Sequence, residues 1–461
     1  MIMADETINL ISDMPETDIV GWRKGIAISR DELSYRLACW KSVLESLRNR
    51  KAALFFEDAL EFIAVLTAAW QLNIEIHIPG DALPETCSVL SHNVDGFIGD
   101  FPENYRTVCV EEAAHTKVST GSWWVPHNAV LYVYTSGSTG LPKAVRKSVK
   151  AMLAESSMLE MVYGKECVGR RFISTVSHQH MYGLTFRIFW PLYTGRPTNA
   201  YRLHFPEEVR SELCEDLVLI SSPVHLSYFV RCEGFESAHL SKPVIFSSTS
   251  KLETSTASAI EKIFGSAPRE IYGSSETGII ATRIQSGKEG EIWHPFPDVE
   301  WKPLLETGGF QLRSGHVDSD DWLVMTDNVT SMGEKGFLLG GRQDRIVKIA
   351  GKRVSIDAME MKLSQSKYIS CCRILPMETP NGNFLRLGAV AVLSKDGTKY
   401  LSEAGYAGMS IVLRSELSNT FEQVVLPKLW RFPDALPENS QGKTLQKDLR
   451  ALFGQPIRNL H

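Results

Sequence analysis

The segment from Tyr134 to Lys143, Tyr-Thr-Ser-Gly-Ser-Thr-Gly-Leu-Pro-Lys, combines residue types that bind phosphate and follows a strand-like apolar run. Its glycines allow a ligand to approach the backbone closely. Its hydroxyls, exposed N–H groups and lysine could cradle an anion such as a triphosphate. The pattern is not a Walker A loop, because Lys143 follows Pro142 and precedes Ala144. The competing interpretation is a solvated Ser/Gly turn.

Four further segments follow in order: Ile271–Gly278 (Ile-Tyr-Gly-Ser-Ser-Glu-Thr-Gly), Met325–Asp327, Gly341–Val354 and Leu436–Lys443. With the first segment, they closely resemble the signature motifs of the adenylate-forming superfamily. That superfamily includes acyl- and aryl-CoA synthetases, adenylation domains of non-ribosomal peptide synthetases, and firefly luciferase. The five motifs extend over about residues 130 to 450, and a weaker βαβ pattern extends the resemblance to nearly the whole chain.

The resemblance implies a reaction in two steps. A carboxylic acid attacks the α-phosphate of ATP, which gives an acyl-adenylate and pyrophosphate, and a thiol then displaces AMP to form a thioester. The implied cofactors are ATP, Mg²⁺ and either coenzyme A or a phosphopantetheinyl acyl carrier protein. We expect an aryl or fatty acid as substrate, and by analogy a compact bacterial type of enzyme.

The resemblance also assigns residues to the nucleotide. The expected phosphate-binding residues are Thr135, Ser136, Gly137, Ser138, Thr139, Gly140 and Lys143. Glu276 and Thr139 are expected to hold Mg²⁺, which prefers oxygen ligands. Tyr272 is expected to border the adenine, beside Gly273, Ser274 and Ser275. Asp327 would accept hydrogen bonds from the ribose hydroxyls, and Arg342 would reach the same ribose.

The resemblance assigns roles to four further positions, in catalysis, at the hinge and along the path of the thiol. Lys443 matches the family's catalytic lysine, which stabilises the charge of the transition state. His180, in Ser177–Leu184, matches a histidine beside the acyl pocket, although a structural histidine is the competing interpretation for it. Asp344 matches a hinge, and Gly351 lies in a loop that the thiol would pass.

The basic residues between Arg342 and Arg353 have two interpretations. They form either a solvated strand face or a surface that binds the phosphates of coenzyme A or an acidic carrier protein. The chain also departs from the family pattern. Thr326 replaces a glycine, Ser247–Lys251 replaces a glycine-containing segment that contacts adenine, and Ile356 and Ala358 stand where the family usually has Pro and Glu. We interpret these departures as marks of a divergent enzyme, because Lys443 and the two key carboxylates are present.

Strand-like runs alternate with helical stretches up to about residue 340, after which shorter strands and helices follow a different pattern. This predicts an α/β fold: a large N-terminal domain of parallel and mixed sheets with helices (1–342), which binds ATP and carboxylate. A small, mobile α+β C-terminal domain (343–461) would carry the catalytic lysine. Predicted strands include Val130–Tyr134 and Leu217–Ile220, and a helix is predicted over Ser415–Val425.

Composition narrows the functional classes. The chain has 461 residues, with 49 Lys+Arg, 54 Asp+Glu and a formal net charge of −5, which argues against sequence-independent nucleic-acid binding. We expect no membrane span and no signal peptide. The 8 scattered cysteines fit no zinc pattern and are expected to be reduced thiols in a cytoplasmic protein.

Two other classes remain as alternatives to an acid–thiol ligase. One is a catalytically impaired nucleotide-binding or interaction module of the same fold, which loss of Lys443 or Glu276 would have favoured. The other is an oxidative, luciferase-like enzyme, for which the sequence offers no specific feature. The sequence does not name the acid, the oligomeric state or the acceptor thiol.

Overall fold

The alternation of strands and helices predicted from the sequence is present in the computed structural model. The structure describes residues 7–11, 18–108, 121–136, 142–214, 216–235, 238, 241–286, 290–304, 309–342, 345–349, 352–378, 385–418, 420–438 and 444–454. The following bounds and statements refer to these residues.

The strands up to residue 342 are β1 Thr7–Asn9, β2 Ile19–Arg23, β3 Ile26–Ser29, β4 Lys51–Phe55, β5 Glu75–Ile78, β6 Gly96–Gly99, β7 Trp124–Pro126, β8 Val130–Ser136, β9 Pro142–Ser148, β10 Arg171–Ser174, β11 Thr198–Asn199, β12 Leu217–Ser221, β13 Val244–Ser247, β14 Arg269–Ser274, β15 Gly278–Ile284, β16 Ile292–Pro295, β17 Glu300–Pro303, β18 Phe310–Arg313, β19 Leu323–Met325, β20 Asp327–Ser331 and β21 Phe337–Arg342. The helices are α1 Arg30–Val43, α2 Ala59–Gln71, α3 Pro84–Leu90, α4 Val149–Tyr163, α5 Met181–Gly183, α6 Trp190–Thr194, α7 Pro206–Glu212, α8 Pro223–Arg231 and α9 Thr254–Phe264.

Two large sheets contain most of these strands. One has five strands in the order β6-β4-β5-β8-β9, and the other has 11 strands in the order β20-β21-β16-β15-β14-β13-β12-β10-β11-β2-β3. In the larger sheet, the consecutive strands β14-β13-β12-β10-β11-β2 are parallel to one another. The sheet becomes antiparallel at the β15–β14 pair and at the β2–β3 pair. This mixture confirms the predicted α/β class. The small sheets are β1-β7 and β17-β18-β19.

Helix α2 shows why the core of this part is stable. Asp58 caps its N-terminus by accepting hydrogen bonds from the Leu60 and Glu61 amides, each at 2.9 Å. Every residue from Ala59 to Trp70 is buried and all but Glu61 and Thr67 are apolar, as expected for a helix inside the core. Each fully buried Leu, Ile or Phe contributes about 1.5–3 kcal/mol relative to an exposed one.

The smaller C-terminal part has elements of its own: β22 Ile346–Ile349, β23 Lys352–Ser355, α10 Ile356–Ser364, β24 Ile369–Glu378, β25 Leu385–Leu393, α11 Lys395–Ser418, β26 Leu429–Arg431 and α12 Gln446–Gly454. Strands β22 and β23 pair as a hairpin, and β24-β25-β26 form a three-stranded sheet. Its hydrophobic clusters contain only residues from Ile349 onward.

The helix predicted over Ser415–Val425 is wrong in its bounds. Helix α11 begins at Lys395 and ends at Ser418, with a non-helical backbone at Gly405, and a separate 3₁₀ turn covers Gln423–Val425. Tertiary packing explains the difference, because Met409, Leu413 and Leu417 recur at helical spacing and are fully buried against the sheet.

Candidate active site

Four parallel strands of the larger sheet end at the same edge. Strands β10, β12, β13 and β14 lie side by side and run in one direction. Their last residues are Ser174, Ser221, Ser247 and Ser274. In open α/β sheets, ligands bind in the crevice outside the carboxyl ends of parallel strands. This edge is therefore where the segments that carry His180, Lys251 and Glu276 leave the sheet.

The β8–β9 hairpin reaches this edge from the five-stranded sheet. Lys143, at the start of β9, places its Nζ 3.1 Å from Oε1 of Glu276, which follows β14. Both side chains remain open to solvent, at 64% and 47% exposure. Burial raises the pKa of the Glu276 carboxyl, but hydrogen bonds from its own backbone and from Lys143 outweigh burial and lower it overall. Glu276 is therefore ionised at neutral pH.

Several residues expected to bind phosphate or serve catalysis lie outside the described residues: Gly137, Ser138, Thr139, Gly140, Asp344, Gly351 and Lys443. Their roles stay predictions. Thr135 lies on β8, where its Oγ1 donates a hydrogen bond to the Lys143 carbonyl at 3.4 Å. Ser136 ends β8 and pairs in register with Pro142.

The segment after β14 is a tight turn stabilised by two hydroxyls. The Ser274 and Thr277 hydroxyls lie 3.0 Å apart, and each accepts a hydrogen bond from the backbone N–H of the other residue. Ser275 and Glu276 occupy the middle of this turn. A β-bulge precedes it between Tyr272 and Gly273. A Cβ at Gly273 would lie 2.2 Å from the Gly278 carbonyl oxygen, so the close approach of β14 and β15 at this point requires glycine.

Tyr272 is half-buried in an aromatic cluster rather than isolated at the surface. Its ring centroid lies 5.7 Å from that of Trp293, 6.2 Å from Phe337 and 6.4 Å from Phe310. These contacts fix the ring beside the turn of Ser274–Thr277. That Tyr272 borders the adenine stays a prediction.

Asp327 and Arg342 face each other across two antiparallel strands. They are Cα partners in the β20–β21 pairing, and a register shift follows Asp327. Asp327 is half-buried, whereas Thr326, at the position of the family's glycine, is exposed. The structure thus brings together, at the level of the backbone, the two residues that the sequence assigned to one ribose.

His180 occupies the N-cap position of helix α5 and is half-buried. Its neighbour His178 is 1% exposed and lies 3.0 Å from a guanidinium nitrogen of Arg187. Burial lowers the pKa of His178 well below its usual value, and the positive charge of Arg187 lowers it further. His178 is therefore neutral, in accord with a structural role.

The segment after β13 departs in sequence from the family but retains a glycine-like backbone. Thr249 has a φ of 84°, a conformation that favours glycine and that a β-branched residue rarely adopts. Its neighbour Ser248 donates a hydrogen bond from its hydroxyl to the Ile271 carbonyl at 2.8 Å. Residues held in such conformations often lie at functional sites.

Lys147 is a site residue that the sequence analysis missed. It lies on β9, on the same face as Lys143, and is only 2% exposed. Its Nζ donates a hydrogen bond to the main-chain carbonyl of Glu276 at 2.7 Å. The signal was the alternation along β9, which places Lys147 on the same face as buried Val145. A lysine on a buried face needs a polar partner.

The described residues also bear on metal binding and on membrane insertion. Among them, no group of three or more His, Cys, Asp or Glu side chains forms a ready-made metal site. Mg²⁺ is usually held by one or two carboxylates together with substrate phosphates, so the ionised Glu276 fits that ion. No described helix is both long enough and apolar enough to cross a membrane. The cysteines that the structure describes are free thiols.

Known proteins share this architecture. ATP-bound MatB from Rhodopseudomonas palustris superimposes with a TM-score of 0.77 at 16% identity, covering 97% of this chain and 99% of that one. The O-succinylbenzoate coenzyme A synthetase MenE from Bacillus subtilis, in complex with AMP, also gives 0.77 at 16% identity, covering 96% and 98%. At these identities the likeness establishes the fold.

Sequence relatives and a family model give the family. A 4-coumarate–CoA ligase of Halorhodospira halophila is 26% identical over 322 residues, 69% of this chain and 75% of that protein. A probable CoA ligase of Humulus lupulus, CCL8, is 24% identical, and the match covers 70% of this chain but only 61% of that protein. The family model described as AMP-binding enzyme matches residues 50–316, more than half of the chain. The chain therefore belongs to the AMP-binding enzymes of the adenylate-forming superfamily.

Proposed function

We propose that this protein uses ATP to activate a carboxylic acid and then transfers the acyl group to a thiol. A carboxylate oxygen of the acid bonds to the α-phosphorus, and the bond between that phosphorus and the bridging oxygen breaks, releasing pyrophosphate. The thiolate then bonds to the acyl carbon, and AMP leaves with the electrons of the broken C–O bond. Coenzyme A and an acyl carrier protein are the two candidate acceptors.

The ion pair between Lys143 and Glu276 is the observation that carries this proposal. It joins the end of the Ser/Thr/Gly-rich segment to the turn after β14, at the carboxyl edge of the parallel sheet. When a ligand binds, the exposed lysine can exchange the carboxylate for phosphate oxygens. The ionised carboxylate can then exchange the lysine for a cation. The pair therefore supports a polyphosphate site between the two sheets.

Glu276 and Thr139 would hold Mg²⁺ in this proposal. The ion would neutralise negative charge on the phosphates when bound. Lys143 would bind the phosphates, together with the hydroxyls and backbone N–H groups of residues 135–140. Because Glu276 is ionised and exposed, it can take part without a prior change of protonation.

The nucleoside would lie beside Tyr272 and Asp327. The aromatic cluster around Tyr272 supports a rigid edge for adenine, and Gly273 lets β15 pack closely against this edge. The register that sets Asp327 opposite Arg342 supports a shared contact with the ribose. A carboxylate can accept hydrogen bonds from both ribose hydroxyls.

The second part of the proposal concerns the C-terminal domain. We propose a boundary between residues 342 and 343, with Asp344 as the hinge, Lys443 as the catalytic lysine of the first step, and Gly351 beside the thiol in the second. The separate hydrophobic cores on either side of this boundary support it. His180, at the carboxyl edge, would border the acyl group.

The acid itself is proposed as aryl or fatty. A relative named for 4-coumarate and a structural neighbour named for anthranilate support an aryl acid. Relatives named as putative long chain fatty acid–CoA ligases support the fatty alternative.

A pyrophosphate-release assay over a panel of aryl and fatty acids tests the first step. We expect release with at least one acid, and a loss of about 100-fold or more in Lys443→Ala. Lys447→Ala, which removes an exposed lysine from α12, is the matched control and should behave like wild type. If Lys443→Ala keeps the wild-type rate of release in the forward direction, the catalytic assignment is wrong.

The acceptor requires a separate assay of thioester formation, with coenzyme A and a phosphopantetheinyl carrier protein compared at equal concentration. Gly351→Leu should preserve pyrophosphate release and block thioester formation, since a side chain there would obstruct the thiol. Equal loss of both steps would contradict this division of labour. Release without thioester on either acceptor would contradict the ligase proposal.

A further inference from the structure

We propose that Lys147, Glu155 and His316 are positioning residues, which hold the main chain of residues 276–279 and thereby fix Glu276 for its metal and phosphate role. The proposal rests on the function proposed above. It adds three residues, from three separate parts of the fold, to which the sequence motifs assign no role. The side chain of each residue contacts a main-chain atom of the segment, so these contacts determine the position of the segment's backbone.

Lys147 holds the first residue of the segment. Its Nζ donates to the Glu276 carbonyl oxygen at 2.7 Å, and its side chain is almost fully buried. The negative charges of Glu155, Asp318 and Glu276 lie near this ammonium. Burial of an ammonium group costs free energy unless it is paired and hydrogen-bonded, and here that cost is offset at the residue proposed to hold the metal.

Glu155 holds the last residue of the segment. It lies on α4, is 3% exposed, and its Oε1 accepts a hydrogen bond from the Ile279 backbone N–H at 3.0 Å. Its Oε2 accepts a bond from the Thr185 hydroxyl at 3.3 Å, which orients the carboxylate. Gly278 passes directly against it, because a Cβ at Gly278 would lie 3.0 Å from the carboxyl carbon.

His316 completes the set. Its Nε2 lies 2.7 Å from the Ile279 carbonyl oxygen, and its Nδ1 lies 2.8 Å from Oδ2 of Asp298. The imidazole is 1% exposed. With Glu155 on the N–H and His316 on the C=O, both main-chain polar groups of Ile279 are bound by buried side chains. The turn that carries Glu276 is thus held at both ends.

Such a set matters because ligand residues must be held within about half an ångström of the productive geometry. Changes in the partners that orient metal ligands typically cost about 10–100-fold in metal affinity or activity. A purely structural role would instead lower the stability of the fold and leave the affinity of the folded protein for Mg²⁺ and nucleotide unchanged.

The test measures binding of α,β-methylene-ATP, a non-reacting analogue, to the full-length protein by calorimetry over a range of Mg²⁺ concentrations. We expect Lys147→Met to weaken binding at saturating Mg²⁺ about 10-fold or more and to raise the Mg²⁺ concentration needed for half-maximal binding. Lys150→Met, which removes an exposed lysine of α4, is the matched control and should stay within about twofold of wild type.

Glu155 supplies a second, milder pair of variants. Glu155→Gln keeps an oxygen that can accept the Ile279 N–H, whereas Glu155→Leu removes it, so Gln should retain most of the binding that Leu loses. This difference guards against misfolding of the lysine variant, because Gln and Glu have nearly the same shape. Pyrophosphate release should follow the same order, with the loss in kcat.

Three outcomes distinguish failure of the positioning proposal from failure of the proposed function. If wild type releases pyrophosphate and Lys147→Met and Glu155→Leu melt at lower temperature but bind the analogue as wild type does, the three residues are structural and the positioning proposal is overturned. If wild type binds the analogue but releases no pyrophosphate with any acid, the proposed function fails while the binding series still decides the positioning role. No binding to wild type overturns both.

Discussion

Two lysines on the same face of β9 meet the same glutamate in different ways. At the open end of the strand, Lys143 contacts the Glu276 carboxylate and is 64% exposed. At the buried end, Lys147 contacts the Glu276 main-chain carbonyl and is 2% exposed. One strand thus presents an exchangeable cation to the side chain and a fixed cation to the backbone of one residue.

The difference follows from solvation. An exposed pair gains little from its attraction, because water screens the charges and solvates both groups, so a ligand can replace either partner. Water cannot solvate a buried ammonium group, so breaking its contact leaves an uncompensated charge. We infer that the exposed end of β9 serves binding and that the buried end serves position.

Removal of Lys147 should have the largest effect on stability. We expect Lys147→Ala to lower the free energy of unfolding by about 3 kcal/mol, since it leaves the Glu276 carbonyl without its donor and the buried Glu155 carboxylate without a nearby positive charge. Urea denaturation followed by circular dichroism measures this. A loss as small as that of an exposed lysine would break the comparison between the two ends of β9.

The backbone beside Glu155 gives the next effect. Gly278 has a φ of 70°, and Gly278→Ala would both strain the backbone and press a methyl group against the Glu155 carboxylate. We expect a loss of about 2 kcal/mol in unfolding free energy, measured by the same denaturation. Gly169→Ala is the control, because Gly169 has a φ of 72° but nothing within 4 Å of the added Cβ. Equal losses would show that the contact with Glu155 is unimportant.

The charge of His316 should make stability depend on pH. Burial lowers its pKa, but hydrogen bonding to Asp298 and the charge of Glu155 outweigh burial and raise it above 6.5 overall. Because the folded pKa is the higher one, the contribution is fully present below pH 6.5 and is lost as pH rises through the raised pKa. We expect a smaller effect than for the glycine variant.

Denaturation at pH 6 and pH 8.5 measures this contribution. Wild type should lose more stability between these values than His316→Gln, in which the titrating group is absent. His92→Gln, at an exposed position, should retain the wild-type pH dependence. If His316→Gln shows the same dependence as wild type, another group is responsible for it.

Removal of Lys143 should have the smallest effect on stability. We expect Lys143→Ala to change the unfolding free energy by less than about 1 kcal/mol, because the pair it breaks is exposed. Pyrophosphate release should nevertheless fall about 10-fold or more, since the cation proposed to bind the phosphates is lost. Lys143→Arg should recover part of that rate. A stability loss equal to that of Lys147→Ala would mean that both lysines stabilise the fold to the same extent, and would contradict the distinction between the two ends of β9.

The fold was largely predictable because its signals are local. The apolar runs at Val130–Tyr134 and Leu217–Ile220 each require only neighbouring residues, and both strands are present. The end of α11 was predicted wrongly because its bounds depend on which residues pack against the sheet of the C-terminal domain. Spacing alone does not contain that information.

The sequence by itself determined which residues could do chemistry: the segment ending at Lys143 that is predicted to bind phosphate, the acidic residues Glu276 and Asp327, and their order along the chain. The tertiary structure alone decided that Lys143 meets Glu276, and that Lys147, Glu155 and His316 converge on one short segment. The physical reason is that these partners are distant in sequence. Burial, not residue type, distinguishes a lysine that binds a ligand from one that holds a backbone in place.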